Sequence, residues 1–230
     1  MPRYSMNQAV LAKKEGTYAT DATPAGASDA VLVSNLSVNT LNAQNVGRNL
    51  IRNYFGASEQ LVGSAYKSCS FDVEFQNGGT AGTAAAWDSL LQACGFSAGS
   101  PLTTPSRVEH SIAAPASAAS LTIYYYDDGV LHKLLGARGT FSLDLTVGSR
   151  PVFKFQFIGL DGGDTAVAVP STTLTGYKAP LAVTDTNTGA IVLGATYATG
   201  ALTGGTEYIS GGLTLDFGAN ATFIDLLGTA

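Results

Sequence analysis

Across residues 120–158 apolar and polar positions alternate with a period of two. Leu121, Ile123 and Tyr125 alternate with Thr122, Tyr124 and Tyr126, and Asp127-Asp128-Gly129 follows as a turn. Residues 130–135 form an apolar return run, closed by Gly136-Ala137-Arg138-Gly139. Phe141, Leu143, Leu145 and Val147 then alternate with Ser142, Asp144 and Thr146, and Phe153, Phe155 and Phe157 alternate with Lys154 and Gln156. A period of two places one set of side chains on each face of a sheet. An Asp-Gly between alternating runs marks a hairpin. The pattern predicts a four-strand antiparallel meander with one apolar and one wet face.

The same reading extends to the rest of the chain. Residues 70–76 form a strand with Phe71, Val73 and Phe75 on one face and Asp72, Glu74 and Gln76 on the other. One helix is predicted: Trp87, Leu90, Leu91 and Cys94 fall at i, i+3, i+4 and i+7, with Thr83 as N-cap and Gly95 as the residue that ends it. Residues 1–45 read as an extended, polar arm containing short strands, and residues 99–119, with three prolines, as a long loop or as strands separated by loops. Asp161-Gly162-Gly163-Asp164 reads as a turn, and short strands follow at 167–169, 181–183, 190–193, 208–209, 213–217 and 223–227. With no linker visible, the expectation is one β domain: arm 1–45, core 46–180 and a carboxy-terminal β region 181–230, part of the core or a decoration on it.

Charge is sparse and unevenly placed. The 230 residues carry a net charge of −5, and residues 155–230 hold one base (Lys178) against six acids. The remainder sums to zero, so the whole imbalance lies in the last third. An acidic balance argues against tight nucleic-acid binding, which needs cations to displace counterions; it leaves open a surface past which nucleic acid slides. No apolar run is long enough to cross a membrane, and residues 1–16 lack the apolar core of a signal peptide, so synthesis in a cytoplasm is the expectation. Cys69 and Cys94 are expected as reduced, buried thiols.

Sites of chemistry are absent from the pattern. The Gly78-Gly79-Thr80-Ala81-Gly82 turn ahead of the helix has no lysine at the helix start, so it is not a phosphate loop. His110 and His132 have neither a nucleophile elbow nor metal-ligand spacing. Asp127-Asp128 belongs to a hairpin, and Asp161 with Asp164 supplies too few oxygens for calcium. The run Tyr124-Tyr125-Tyr126 fits cross-strand packing better than a stacking platform. The expectation is a protein with no catalytic residue, no cofactor and no metal. Arg48 and Arg52, four apart beside apolar residues, are read as solvated charges or contacts to a partner.

Several stretches together resemble the tail tube proteins of long-tailed, siphovirus-like bacteriophages. They are Lys14-Glu15-Gly16-Thr17-Tyr18-Ala19-Thr20-Asp21-Ala22-Thr23-Pro24, Val46-Gly47-Arg48-Asn49-Leu50-Ile51-Arg52-Asn53-Tyr54-Phe55-Gly56, Gly82-Thr83-Ala84-Ala85-Ala86-Trp87 with Leu90-Leu91-Gln92-Ala93-Cys94-Gly95-Phe96, and Tyr126-Asp127-Asp128-Gly129-Val130-Leu131-His132 followed by Gly136-Ala137-Arg138-Gly139-Thr140-Phe141. The resemblance implies a mainly β fold: a sandwich of two packed antiparallel sheets with one flanking α-helix, one sheet contributing to an inter-subunit β-barrel. It also implies homo-hexameric rings stacked into a hollow virion tube that delivers double-stranded DNA and is assembled in the host cytoplasm without membrane insertion. Tape-measure, tail terminator and tail-tip proteins would be its partners.

In that setting Asp72, Glu74, Asp144 and Thr146, on the polar faces of the better strands, are the candidate lumen-facing residues. Arg48 and Arg52 are the candidate inter-subunit contacts. The competing readings are another virion β-sandwich, such as a capsid decoration or head-completion protein, and a carbohydrate-binding sandwich using Tyr124 to Tyr126 or Trp87.

Overall fold

The structure is a computed structural model and describes residues 6–48, 50–53, 55–103, 106–198 and 201–225. Its elements are β1 (Gln8–Lys14), β2 (Ala30–Val31), β3 (Ser34–Gly47), β4 (Gln60–Glu74), α1 (Asp88–Ala93), β5 (Ser100–Thr103), β6 (Ser106–Glu109), β7 (Leu121–Asp127), β8 (Val130–Thr146), β9 (Val152–Ala166), β10 (Ile191–Leu193), β11 (Thr196–Ala198), β12 (Ala201–Thr203), β13 (Thr206–Tyr208) and β14 (Gly212–Asp216). The fold is mainly β and antiparallel with one helix, as the sequence indicates.

One eight-stranded sheet carries the molecule, in the order β2-β1-β7-β8-β9-β4-β3, with β14 added to β8. Two long strands, β8 and β9, belong to both of its halves. In the upper half the first part of β8 pairs with β7 and the last part of β9. In the lower half the second part of β8 lies between β14 and β9, and β9 continues to β4 and β3. Residues from both halves meet in one apolar cluster: Val10, Ala12 and Ile123 from above, Phe71, Val73, Phe153 and Phe155 from below, with Trp87 and Leu90 from the helix region. Two layers over one core therefore arise from a single continuous ladder. Each fully buried aromatic contributes about 1.5–3 kcal/mol through the apolar area it removes from water.

The meander differs from its sequence reading in three ways. First, it has three strands rather than four, because β8 runs unbroken through Gly136-Ala137-Arg138-Gly139. Those residues form an irregularity where the β8–β9 register shifts between Leu135 and Arg138. Gly136 adopts φ +61° there, and a Cβ on Gly139 would come within 1.9 Å of the Gln156 carbonyl oxygen. The glycines permit a bulge and a close backbone approach, not a turn. Second, Asp161-Gly162-Gly163-Asp164 is likewise inside a strand, β9. Third, the polar face expected for β7 is not wet. Tyr124 and Tyr126 are buried with Leu11, Ala30 and Leu131 in a second cluster, against Val169 and Leu174.

The covering layer comes from the amino-terminal segment, which is no free arm. β1 is an interior strand between β2 and β7, and Leu11 is fully buried. The following loop is fixed by Glu15, whose carboxylate accepts from Ser120 Oγ (2.6 Å), Thr122 Oγ1 (2.9 Å) and the amides of Gly136 and Ala19 (both 2.8 Å). Asp21 adds a second tie. Its carboxylate accepts from Tyr124 Oη (2.6 Å) and Lys133 Nζ (3.0 Å). Polar residues at 15–29 reflect this work at the protein's own surface, which composition alone cannot separate from a free arm.

The helix is shorter than its apolar stripe suggests. It begins at Asp88, and residues 80–88 make tight turns instead, with the Thr83 amide bonded to the Thr80 carbonyl and the Asp88 amide to that of Ala85. Trp87 stands at the N-cap of the helix, and its Nε1–H donates to the Gln76 carbonyl at 2.9 Å. The carboxy-terminal region forms β10 paired with β13, β11 paired with β12, and β14 on β8. The strands expected at 167–169, 181–183 and 223–227 are not formed at 167–169, 181–183 and 223–225, and residues 226 and 227 lie outside the described residues.

Candidate functional site: the polar face of the lower sheet

The lower half keeps the alternation that the upper half loses. On β4, Cys69, Phe71 and Val73 are buried while Ser68, Ser70, Asp72 and Glu74 are only half-buried. On β9, Phe153, Phe155 and Phe157 are buried while Lys154 and Gln156 are exposed. Registered pairs keep the same face from strand to strand. One row is Ser142, Lys154, Asp72 and Ser34; the next is Thr140, Gln156, Ser70 and Ser37. Asp144 and Glu74 flank Val152 in a third. The sequence-derived residues Asp72, Glu74, Asp144 and Thr146 thus share one face of three adjacent strands.

Each acid on that face has a partner. Lys154 Nζ donates to Asp144 Oδ2 at 2.9 Å, and Thr146 Oγ1 donates to Asp144 Oδ1 at 2.7 Å. Those two donors, Thr146 first, hold the Asp144 carboxyl below the usual carboxylate range, and Asp144 in turn raises the Lys154 ammonium. Arg150 bonds Glu74 at 3.1 Å and Ser34 Oγ at 2.9 Å, and Asn35 donates to Asp72 at 2.7 Å. Charges of both signs therefore interleave with hydroxyls and amides. The two bases were legible as polar members of the 150–156 alternation, although sequence reasoning singled out only the three acids and Thr146.

Arg48 and Arg52 lie elsewhere, at the tip joining β3 to β4. These strands, 14 and 15 residues long, pair as far as Gly47 and Gln60, beyond the span where β4 meets β9. Arg48 forms an ion pair with Glu59 at the exposed tip. Leu41, Val46, Ile51, Phe55, Leu61 and Val62 are exposed along this projecting hairpin.

The histidines are accounted for. His132 stacks on Tyr125 and meets Asp164 at 2.8 Å; His110 packs on Trp87 and meets Asp88 at 3.3 Å. The sequence missed Lys67, which is 1% exposed and bonded to Asp161 (2.7 Å) and Asp164 (2.6 Å). Its one signal is a lysine at the core parity of β4. Among the described residues no cluster of three or more metal-ligating side chains occurs. Burial pushes the Cys69 and Cys94 thiols up to about 12, the state of packed cysteines, not of nucleophiles.

The family model described as phage tail tube protein matches residues 6–229. The chain belongs to that family. It is a non-enzymatic structural protein of the phage tail, and membership of the tail tube family places it in the virion and implies assembly into a tube with other tail proteins. No curated protein matches the chain by sequence. Among solved structures, the cryo-EM structure of the anti-feeding prophage cap (AFP tube terminating cap) aligns with this tail tube protein over 73% of its length and 93% of the cap chain, at 11% identity and a TM-score of 0.41.

Proposed function

We propose that this tail tube protein polymerises as stacked hexameric rings whose lower panels join into a β-barrel, and that double-stranded DNA passes through the lumen. The observation that carries the reading is the lower panel itself. It has an apolar face committed to the core, a polar face of paired charges, and at one end a 14-residue strand, β3, with no partner on its outer side among the described residues. An open edge of this length invites pairing, and ring closure abolishes it.

Asp72, Glu74, Asp144 and Thr146 would then line the channel. Three acids against Lys154, Arg150 and Arg138, which lies one row further along β8, leave the panel near neutral and densely hydrated, so phosphates meet paired charges and no cationic patch on which to dwell. The β3–β4 hairpin, with Arg48 and Arg52 at its tip and apolar residues along it, is suited to contact a neighbouring subunit. Tape-measure, tail terminator and tail-tip proteins would meet the same tube at its lumen and ends.

Negative-stain microscopy of the concentrated protein tests the reading. Hollow tubes of stacked rings are expected; a protein that remains a monomer or forms closed trimers, as a capsid decoration protein would, overturns it.

A further inference from the structure

Strand direction makes β14 an obstacle to the ring. The lower half runs β14-β8-β9-β4-β3, every neighbour antiparallel to the next. It follows that β3 runs opposite to β8 but in the same direction as β14. In a cyclic ring all copies share one orientation about the axis. A neighbour's β3 therefore meets β8 antiparallel and β14 parallel. Without β14 the panel has four strands and repeats as an unbroken antiparallel ladder. With β14 every seam would be a parallel pair, a slanted and slightly weaker pairing.

The ladder that holds β14 is short, although Phe217 at its end also packs on Phe96 at 4.9 Å. The strand pairs with β8 over five residues, from Gly212 opposite Thr146 to Asp216 opposite Ser142, and Thr214, Leu215 and Asp216 are exposed. The chain beyond it continues as a strap. Phe217 stacks on Phe141 at 5.6 Å, the Gly218 amide bonds Asp216, and Phe223 stacks on Tyr66 at 5.1 Å. Tyr66 has the parity of Ser68, Ser70 and Asp72 on β4, so the strap ends on the polar face. Along it Phe217, Ala219, Ala221 and Phe223 are half-buried while the residues between them are exposed.

We propose that residues 212–225 are an intramolecular place-holder. In the free protein they occupy the β8 edge at 142–146 and part of the polar face; on assembly they give way to the β3 edge of a second copy, which has 138–146 to pair with. The replacement is longer than what it displaces, because β7 ends its pairing with β8 at Ala137 and β14 covers only Ser142 to Thr146. The free subunit thereby keeps a principal edge capped, a protection against premature edge-to-edge growth. The inference rests on the ring reading above.

A reversible lock distinguishes the two. Ser142 and Asp216 are directly opposed, at a cross-strand separation that suits a disulfide. Cys69 and Cys94 are buried and do not compete. In the full chain carrying Ser142→Cys and Asp216→Cys, the oxidised form should remain unassembled by light scattering and microscopy, and dithiothreitol should restore tubes. Oxidised protein that forms tubes at the wild-type rate overturns the place-holder and leaves the ring reading standing. Wild-type and reduced protein that form neither rings nor tubes overturn both. Should the double variant not fold, hydrogen exchange on wild-type protein decides: amides at 213–216 should lose protection on assembly while β3 gains it, and retained protection at 213–216 in tubes overturns the proposal.

Discussion

The Glu15 carboxylate accepts a hydrogen bond from the Gly136 amide at 2.8 Å, joining positions 121 residues apart in sequence. The same carboxylate takes Ser120, Thr122 and Ala19, so one side chain ties the amino-terminal loop to the start of β7 and to the bulge in β8. Glu15→Ala leaves several buried donors unpaired, a loss of about 3 kcal/mol. Calorimetry of the unassembled protein should show a melting temperature lower by about 6–12 °C, and Glu15→Gln about half that.

Gly139→Ala should be severe. Its Cβ would lie 1.9 Å from the Gln156 carbonyl oxygen and 2.7 Å from the Phe157 ring, so the β8–β9 ladder must open. A loss of more than about 2 kcal/mol is expected in urea unfolding. Gly47→Ala, whose Cβ meets nothing within 4 Å, should change stability by less than about 1 kcal/mol.

Acid should loosen the Lys67 site. Burial raises the Asp164 carboxyl, but hydrogen bonds from Lys67 and His132 outweigh it and hold the group below its ordinary value. A depressed folded value stabilises the fold above the unfolded value of about 4, and that contribution is lost as pH falls through the folded value. Wild-type melting temperature should therefore drop below about pH 4 more steeply than that of Asp164→Asn; parallel profiles would exclude this site as a source of acid sensitivity.

Arg48→Glu separates assembly from folding. Arg48 and Glu59 are 39% and 60% exposed, so breaking their pair should cost the subunit no more than about 1 kcal/mol. Tube yield by sedimentation should nevertheless fall sharply if the hairpin tip contacts a neighbour; wild-type yield would remove Arg48 from the interface.

Charge reversal on the polar face tests the channel wall. Asp144→Lys with Glu74→Lys converts a near-neutral face to a strongly positive one, and genome ejection should slow or stop while tubes of normal diameter still form. Lys154→Gln, which removes a base, should leave ejection intact. Unchanged ejection in the double reversal would place this face away from DNA.

Much of this was legible in the sequence, and the failures have identifiable causes. Alternation located β4, β7, β8 and β9, and with them the face holding Asp72, Glu74, Asp144 and Thr146. Glycine misled at two places. At 136–139 it permits a bulge inside one strand, and at 162–163 it sits within β9, because local composition reports backbone freedom rather than whether the ladder stops. The apolar stripe around Trp87 reported burial correctly but overstated the helix, whose first turn is replaced by tight turns and the Trp87 bond to Gln76. The core lysine and the interior position of β1 depend on contacts across about a hundred residues, from Lys67 to Asp164 and from Val10 to Tyr125, which no local pattern encodes.

The bulge in β8 also has a mechanical meaning. Both halves of the sheet hang on the same two backbones, so a load on the lower panel travels along β8 and β9 and tries their hydrogen bonds in shear, many at once. The register slips between Leu135 and Arg138, and there the Glu15 carboxylate grips the Gly136 amide from outside. In a tube built from this subunit, bending is expected to concentrate where the register shifts, with the Glu15 contact resisting it.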